Sequence, residues 1–129
     1  MKFEEVEKLT ADEVRVAVAK AQGYSVFATG ISPAVWVCDP HDCKHYIETE
    51  NKVEALLKVA CDIRDPRMYM ELMNDLWKKE GNIAFDSWSI GWNWLGLPFG
   101  FADYIEYGPD KEVKDLWEAI ARAWLVICG

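Results

Sequence analysis

The apolar positions follow several distinct rhythms along the chain. Thr10-Ala-Asp-Glu13 has the form of a capping box, in which the Thr hydroxyl accepts from the backbone three residues on and Glu13 reaches back. Val14, Val18 and Ala21 then fall at helical spacing, with Gly23 as the stop. Residues 2–8 form at most a preceding helical turn. Tyr24 to Thr29 and Ala34 to Cys38 are rich in β-branched and aromatic residues. Gly30, Pro33 and Asp39-Pro40 bound them, so each predicts a short strand. Residues 39–48 predict a polar loop. From about Asn51 to Arg64, Val53, Leu56, Leu57, Ala60 and Ile63 share one stripe. Asp65-Pro66 breaks it, since a proline disfavours helical geometry in the residue before it. A further helix over about 66–80 carries Tyr69, Leu72, Met73, Leu76 and Trp77 on one face, up to Gly81.

The period then changes to two. Trp88, Ile90, Trp92 and Trp94 alternate with Ser87, Ser89, Gly91 and Asn93, as on a strand with bulky rings on one side and small or polar groups on the other. Leu95 to Gly100 reads as a turn holding Pro98, and Phe101 to Tyr107 as the return strand of a hairpin. Asp110 offers a cap for a last helix, in which Val113, Leu116, Trp117, Ile120, Trp124 and Ile127 step by three and four. The expected architecture is a single α/β (α+β) domain over 1–129: a small, mostly antiparallel sheet of about four strands sandwiched by helices. Such a sheet leaves room for a homo-oligomer.

Composition narrows the function classes. Hydrophobic residues make up 51% of the 129 residues, enough for a packed core and too many for a disordered chain. No apolar run approaches the roughly 18 residues that cross a bilayer. The opening MKFEEVEKL lacks the apolar block of a signal peptide, so the expectation is a cytoplasmic protein without a membrane partner. Fourteen basic residues against 22 acidic ones give a formal charge of −8. That balance disfavours direct nucleic-acid binding, which needs a basic face against phosphates.

Three stretches carry a family likeness. They are Glu4-Glu5-Val6-Glu7-Lys8-Leu9 continuing through Val18-Ala-Lys-Ala-Gln-Gly23-Tyr24, then His45-Tyr46 before the helix at 51–64, and Ala119-Ile-Ala-Arg-Ala-Trp124 near the end. Together they resemble the small bacteriophage and prophage proteins grouped as the phage ABA-sandwich domain. The chain departs from that pattern in Ile47-Glu48-Thr49 after the tyrosine and in an added helix at about 66–80. The resemblance implies a helix–sheet–helix sandwich and a phage origin. It implies no established activity, so no catalytic residue carries over.

Cys38-Asp-Pro-His41-Asp-Cys43-Lys-His45 gathers a Cys₂His₂ set in eight residues, but structural zinc sites usually pair ligands from separate segments. A polar loop with incidental thiols is therefore the expectation, with no metal and no cofactor. A metal site at Cys38, His41, Cys43 and His45, serving a small metal-binding enzyme, is the second alternative to the function expected below. The tryptophan strand is the stronger candidate. Its plainest reading is core, packed on Trp117 and Trp124. Its functional reading is a pocket edge with Trp88, Trp92, Asn93, Trp94 and Tyr104 as ligand-binding residues. The expected function is then a non-enzymatic, phage-encoded binding protein acting in the host cytoplasm in counter-defence, with a nucleotide-type immune signal as its small ligand. The alternative is an acidic protein–protein inhibitor of a host enzyme.

Overall fold

The computed structural model describes residues 1–80, 83–86, 88–94 and 101–129, with side chains for all of these except 80, 84–86, 92–94 and 101–103. The fold is mixed α+β, as the sequence predicts. It divides into two compact units, one of residues 1–14 with 63–129 and one of residues 15–62. Among the described residues, the expected single sheet of about four strands is instead a pair of three-stranded antiparallel sheets. Each closes locally, because each strand pairs with its neighbour in sequence.

In the 15–62 unit, β1 (Ser25–Ala28), β2 (Val35–Cys38) and β3 (Lys44–Ile47) form a meander. β3 lies within the segment expected to be a polar loop. A short turn accounts for it. Asp39 and Pro40 open the turn, Asp42 N donates to Asp39 O at 3.1 Å, and Asp42 takes a left-handed φ of 63°. A turn of this kind followed by a left-handed residue is a standard hairpin closure. It puts Cys38 opposite Lys44 and Val35 opposite Ile47. Helix α3 (Lys52–Val59) packs on β1 and β2. Val35, Val37, Ala55 and Leu56 form the core there together with Ala19. α3 begins as expected, with the Asn51 side chain accepting from Glu54 N at 3.0 Å. It ends earlier than the stripe predicts, because Ala60 already has an extended ψ of 146°.

Helix α2 (Ala11–Ala21) opens on the capping box, with Glu13 N donating to Thr10 Oγ1 at 3.2 Å and Thr10 N to Glu13 Oε1 at 3.0 Å. It closes at Gly23, whose φ of +110° suits a residue without a Cβ.

The other unit holds α1 (Phe3–Glu7), α4 (Pro66–Glu80), β4 (Ala84–Asp86), β5 (Ser89–Trp94), β6 (Phe101–Glu106) and α5 (Leu116–Ile127). Asp65-Pro66 acts here as a helix start. The Asp65 side chain accepts from Arg67 N at 2.9 Å, and proline suits the first helical position, where its missing N–H is no loss. β5 and β6 pair antiparallel, as the alternation predicts, with Ile90 opposite Ile105 and Gly91 opposite Tyr104. The turn expected at 95–100 lies outside the described residues. α5 packs on α1, α4, β5 and β6, and every residue from Glu118 to Leu125 is buried. Its start falls at Asp115, not Asp110. Gly108 N donates to Val113 O at 2.9 Å, so residues 108–113 close on themselves ahead of the helix.

Candidate functional site

Trp88 precedes β5 and stands in the turn between β4 and β5, so it does not continue the strand's alternation into the core. Its side chain is 59% exposed. It is nevertheless held in place. Its ring meets Tyr107 edge to face with centroids 5.9 Å apart, Tyr107 N donates to its carbonyl at 2.9 Å, and Gly108 lies directly beside it. Around it is a shallow cavity of about 530 Å³ lined by Ser89, Glu106, Tyr107, Asp110 and Lys111. Glu106 Oε2 and Lys111 Nζ are 3.2 Å apart. That contact, with the nearby charge of Asp110, pushes the lysine's pKa up.

Tyr104, the other expected site residue with a described side chain, is 55% exposed. Its register opposite Gly91 places it on the sheet face away from Ile90 and Ile105, both buried toward α5. Trp92, Asn93 and Trp94 lie on β5, and their side chains fall outside the described residues. Of the two tryptophans expected beneath them, Trp124 is buried and its indole N–H donates to Asp75 Oδ2 at 3.2 Å, while Trp117 is half-buried.

A larger cavity of about 930 Å³ lies beside Tyr104, between residues 3–11 and the approach to α5. Glu118 and Arg122 line it and are both buried. Arg122 Nε donates to Glu118 Oε2 at 3.0 Å, and its two terminal nitrogens donate to the carbonyls of Val6 and Leu9. The guanidinium thereby satisfies backbone acceptors at the end of α1 while pairing with a carboxylate one helical turn away. Sequence reasoning missed this site. Its one local signal was an acid and a base at i, i+4 inside an otherwise apolar helix.

In the 15–62 unit, the Cys/His segment becomes the β2–β3 turn. Asp39 organises it. One carboxylate oxygen accepts from His41 N at 2.9 Å and Cys43 N at 3.0 Å, and the other lies 3.1 Å from His45 Nε2. The His45 contact, followed by the backbone N–H of Cys43, holds the Asp39 carboxyl below its usual range. Cys38 ends β2 on the sheet's outer side, opposite Lys44, whereas His45 faces the Val37 side. Among the described residues no three His, Cys, Asp or Glu side chains are grouped to hold a metal ion.

The outer face of this sheet carries a feature visible only once β3 is paired. Phe27, Trp36 and Tyr46 stand directly opposite one another across the three strands. Trp36 and Tyr46 meet edge to face at 5.5 Å, and Lys44 Nζ lies 5.9 Å over the Phe27 ring.

Among the described residues no helix is long and apolar enough to cross a membrane. The sequence matches no family model, and no curated protein or solved structure matches the chain.

Proposed function

We propose that the protein is a non-enzymatic binding protein that docks a basic protein partner through the shelf at Trp88. The observation that carries this reading is the exposed yet braced Trp88 ring. A large aromatic fixed before binding gives contact area at little entropic cost, which is why tryptophan dominates binding hot spots. The carboxylates of Glu106 and Asp110 flank it, and Lys111 is engaged by Glu106, so the local charge suits a lysine- or arginine-bearing surface. The chain's charge of −8 adds long-range attraction for the same class of partner. In the phage setting that the sequence resemblance suggests, such a protein would act by occupying a host enzyme.

A second reading, capture of a nucleotide-type signal, draws on the same exposed ring, which offers a face for a base to stack on. Two measurements separate the readings. Quantitative crosslinking in cells should recover a partner with the native chain and lose it with Trp88→Ala and with Glu106→Gln/Asp110→Asn. The complex should weaken steeply in 0.5 M salt. Equilibrium binding to a panel of cyclic and modified nucleotides should give no saturable signal. A nucleotide that binds and is lost with Trp88→Ala would replace the first reading with the second. A partner retained by both variants would sink the shelf.

A further inference from the structure

Trp88 does not line the 930 Å³ cavity beside Tyr104, although Glu106 and Lys111 line both this cavity and the Trp88 shelf. Its size lies within the roughly 300–1,000 Å³ common for ligand sites. Its walls include the apolar side chains of Phe3, Val6, Leu9 and Val113, and its charged lining includes Glu7, Glu106, Glu112 and Glu118. The three cations that also line it are all engaged by the protein. Lys111 pairs with Glu106, Lys114 Nζ donates to Pro109 O at 3.1 Å, and Arg122 is shared between Glu118 and two backbone carbonyls. Among the described residues, Glu7 and Glu112 have no ion-pair partner, and Glu118 Oε1 has no hydrogen-bond donor although Glu118 is only 5% exposed.

We infer that this cleft receives a peptide segment of a partner protein carrying an arginine or lysine side chain between apolar neighbours. The long aliphatic stem of such a side chain packs on apolar walls while its head reaches the carboxylates. A guanidinium or ammonium there gains charge-assisted hydrogen bonds from acceptors left over by the protein's own pairing. The exposed Tyr104 ring at the mouth adds a surface on which a cation can rest. Among the described lining residues, an anionic ligand would meet the unpaired carboxylates of Glu7 and Glu112 against the single charge of Lys114, since Lys111 and Arg122 are already paired with Glu106 and Glu118. A free polyamine could satisfy the charges but would leave much of the apolar wall uncovered, whereas apolar residues flanking the cation cover it.

The inference does not depend on the Trp88 shelf, and its test separates the two. The probe is a dye-labelled peptide, Leu-Leu-Arg-Leu-Leu-amide, titrated into the full chain by fluorescence anisotropy. Its counterpart has citrulline in place of arginine, which keeps the shape and removes the charge. The arginine peptide should bind at least tenfold more tightly than the citrulline peptide and shift the NMR signals of Val113 and Ile105. Glu7→Gln/Glu112→Gln alters two exposed rim residues, leaves the fold intact, and should weaken binding about five- to tenfold. Trp88→Ala should leave this binding unchanged. Equal binding of the two peptides, shifts confined to residues outside the cleft, or no binding at millimolar peptide each overturns the inference. Spermidine binding as tightly as the arginine peptide would assign the site to a small polycation and overturn the peptide occupant.

Discussion

The two units use the same device, a three-stranded antiparallel sheet packed under a helix, but they differ in what that helix buries. α3 places Ala55 and Leu56 against β1 and β2, in a core that is apolar throughout. Its polar organiser, Asp39, sits in the turn at the edge of the sheet. α5 buries eight consecutive residues, Glu118 and Arg122 among them. A purely apolar core tolerates substitution in proportion to the volume lost. A buried ion pair does not, because removing one member strands the other without solvent.

Stability measurements can break or sharpen that contrast. Arg122→Met should give the largest effect, a loss of about 3–5 kcal/mol, because it leaves the buried Glu118 carboxylate without its partner and takes the side-chain donor from Leu9 O, whereas Val6 O keeps backbone donors. Chemical denaturation reads the total. Hydrogen exchange should place the earliest loss of protection in α1 and α5. Leu56→Ala should cost about 3 kcal/mol through the cavity it leaves, with protection lost first in β1, β2 and α3. If Leu56→Ala proved the more damaging change, the buried pair would not be the more vulnerable device. Asn51→Ala removes the cap of α3 and should cost about 1 kcal/mol, readable as a lowered melting temperature.

The polar turn at Asp39 predicts a pH dependence. Its folded pKa lies below the usual carboxylate value. Its contribution is therefore fully present above the ordinary carboxyl range and is lost as pH falls through the lowered folded value. Asp39→Asn should flatten the acid limb of the stability curve below about pH 4, and an unchanged limb would show that other carboxylates govern it. The smallest effect is expected at Trp88. Trp88→Ala should cost about 0.5–1 kcal/mol, chiefly its edge-to-face contact with Tyr107, so any large loss of binding by that variant can be read apart from stability.

Much of this was legible in residue spacing. The Thr10–Glu13 box, the start of a helix at about Asn51, the Asp65-Pro66 boundary and the alternation of β5 are each decided by residues within a few positions of one another. β3 was harder to read. Lys44-His-Tyr-Ile47 is short and half polar, and its strand character comes from the turn chemistry of Asp39, Pro40 and Asp42 more than from its own pattern. With β3 missing, two sheets looked like one, and the Phe27–Trp36–Tyr46 row could not be seen. Trp88 was drawn into the strand by its parity with Ile90, Trp92 and Trp94, although it belongs to the preceding turn. The cleft was hidden for another reason. Its lining comes from residues 3–11, 104–106, 111–114, 118 and 122, and no local window contains more than a fragment of it.

The two carbonyls held by Arg122 also bear on the order of folding. α1 has five residues, far short of the length at which an isolated helix holds together in water. The donor that receives its end lies 116 residues away from Val6 and 113 from Leu9. During synthesis the backbone of residues 3–9 therefore leaves the ribosome well before the guanidinium that binds it, which arrives only with α5.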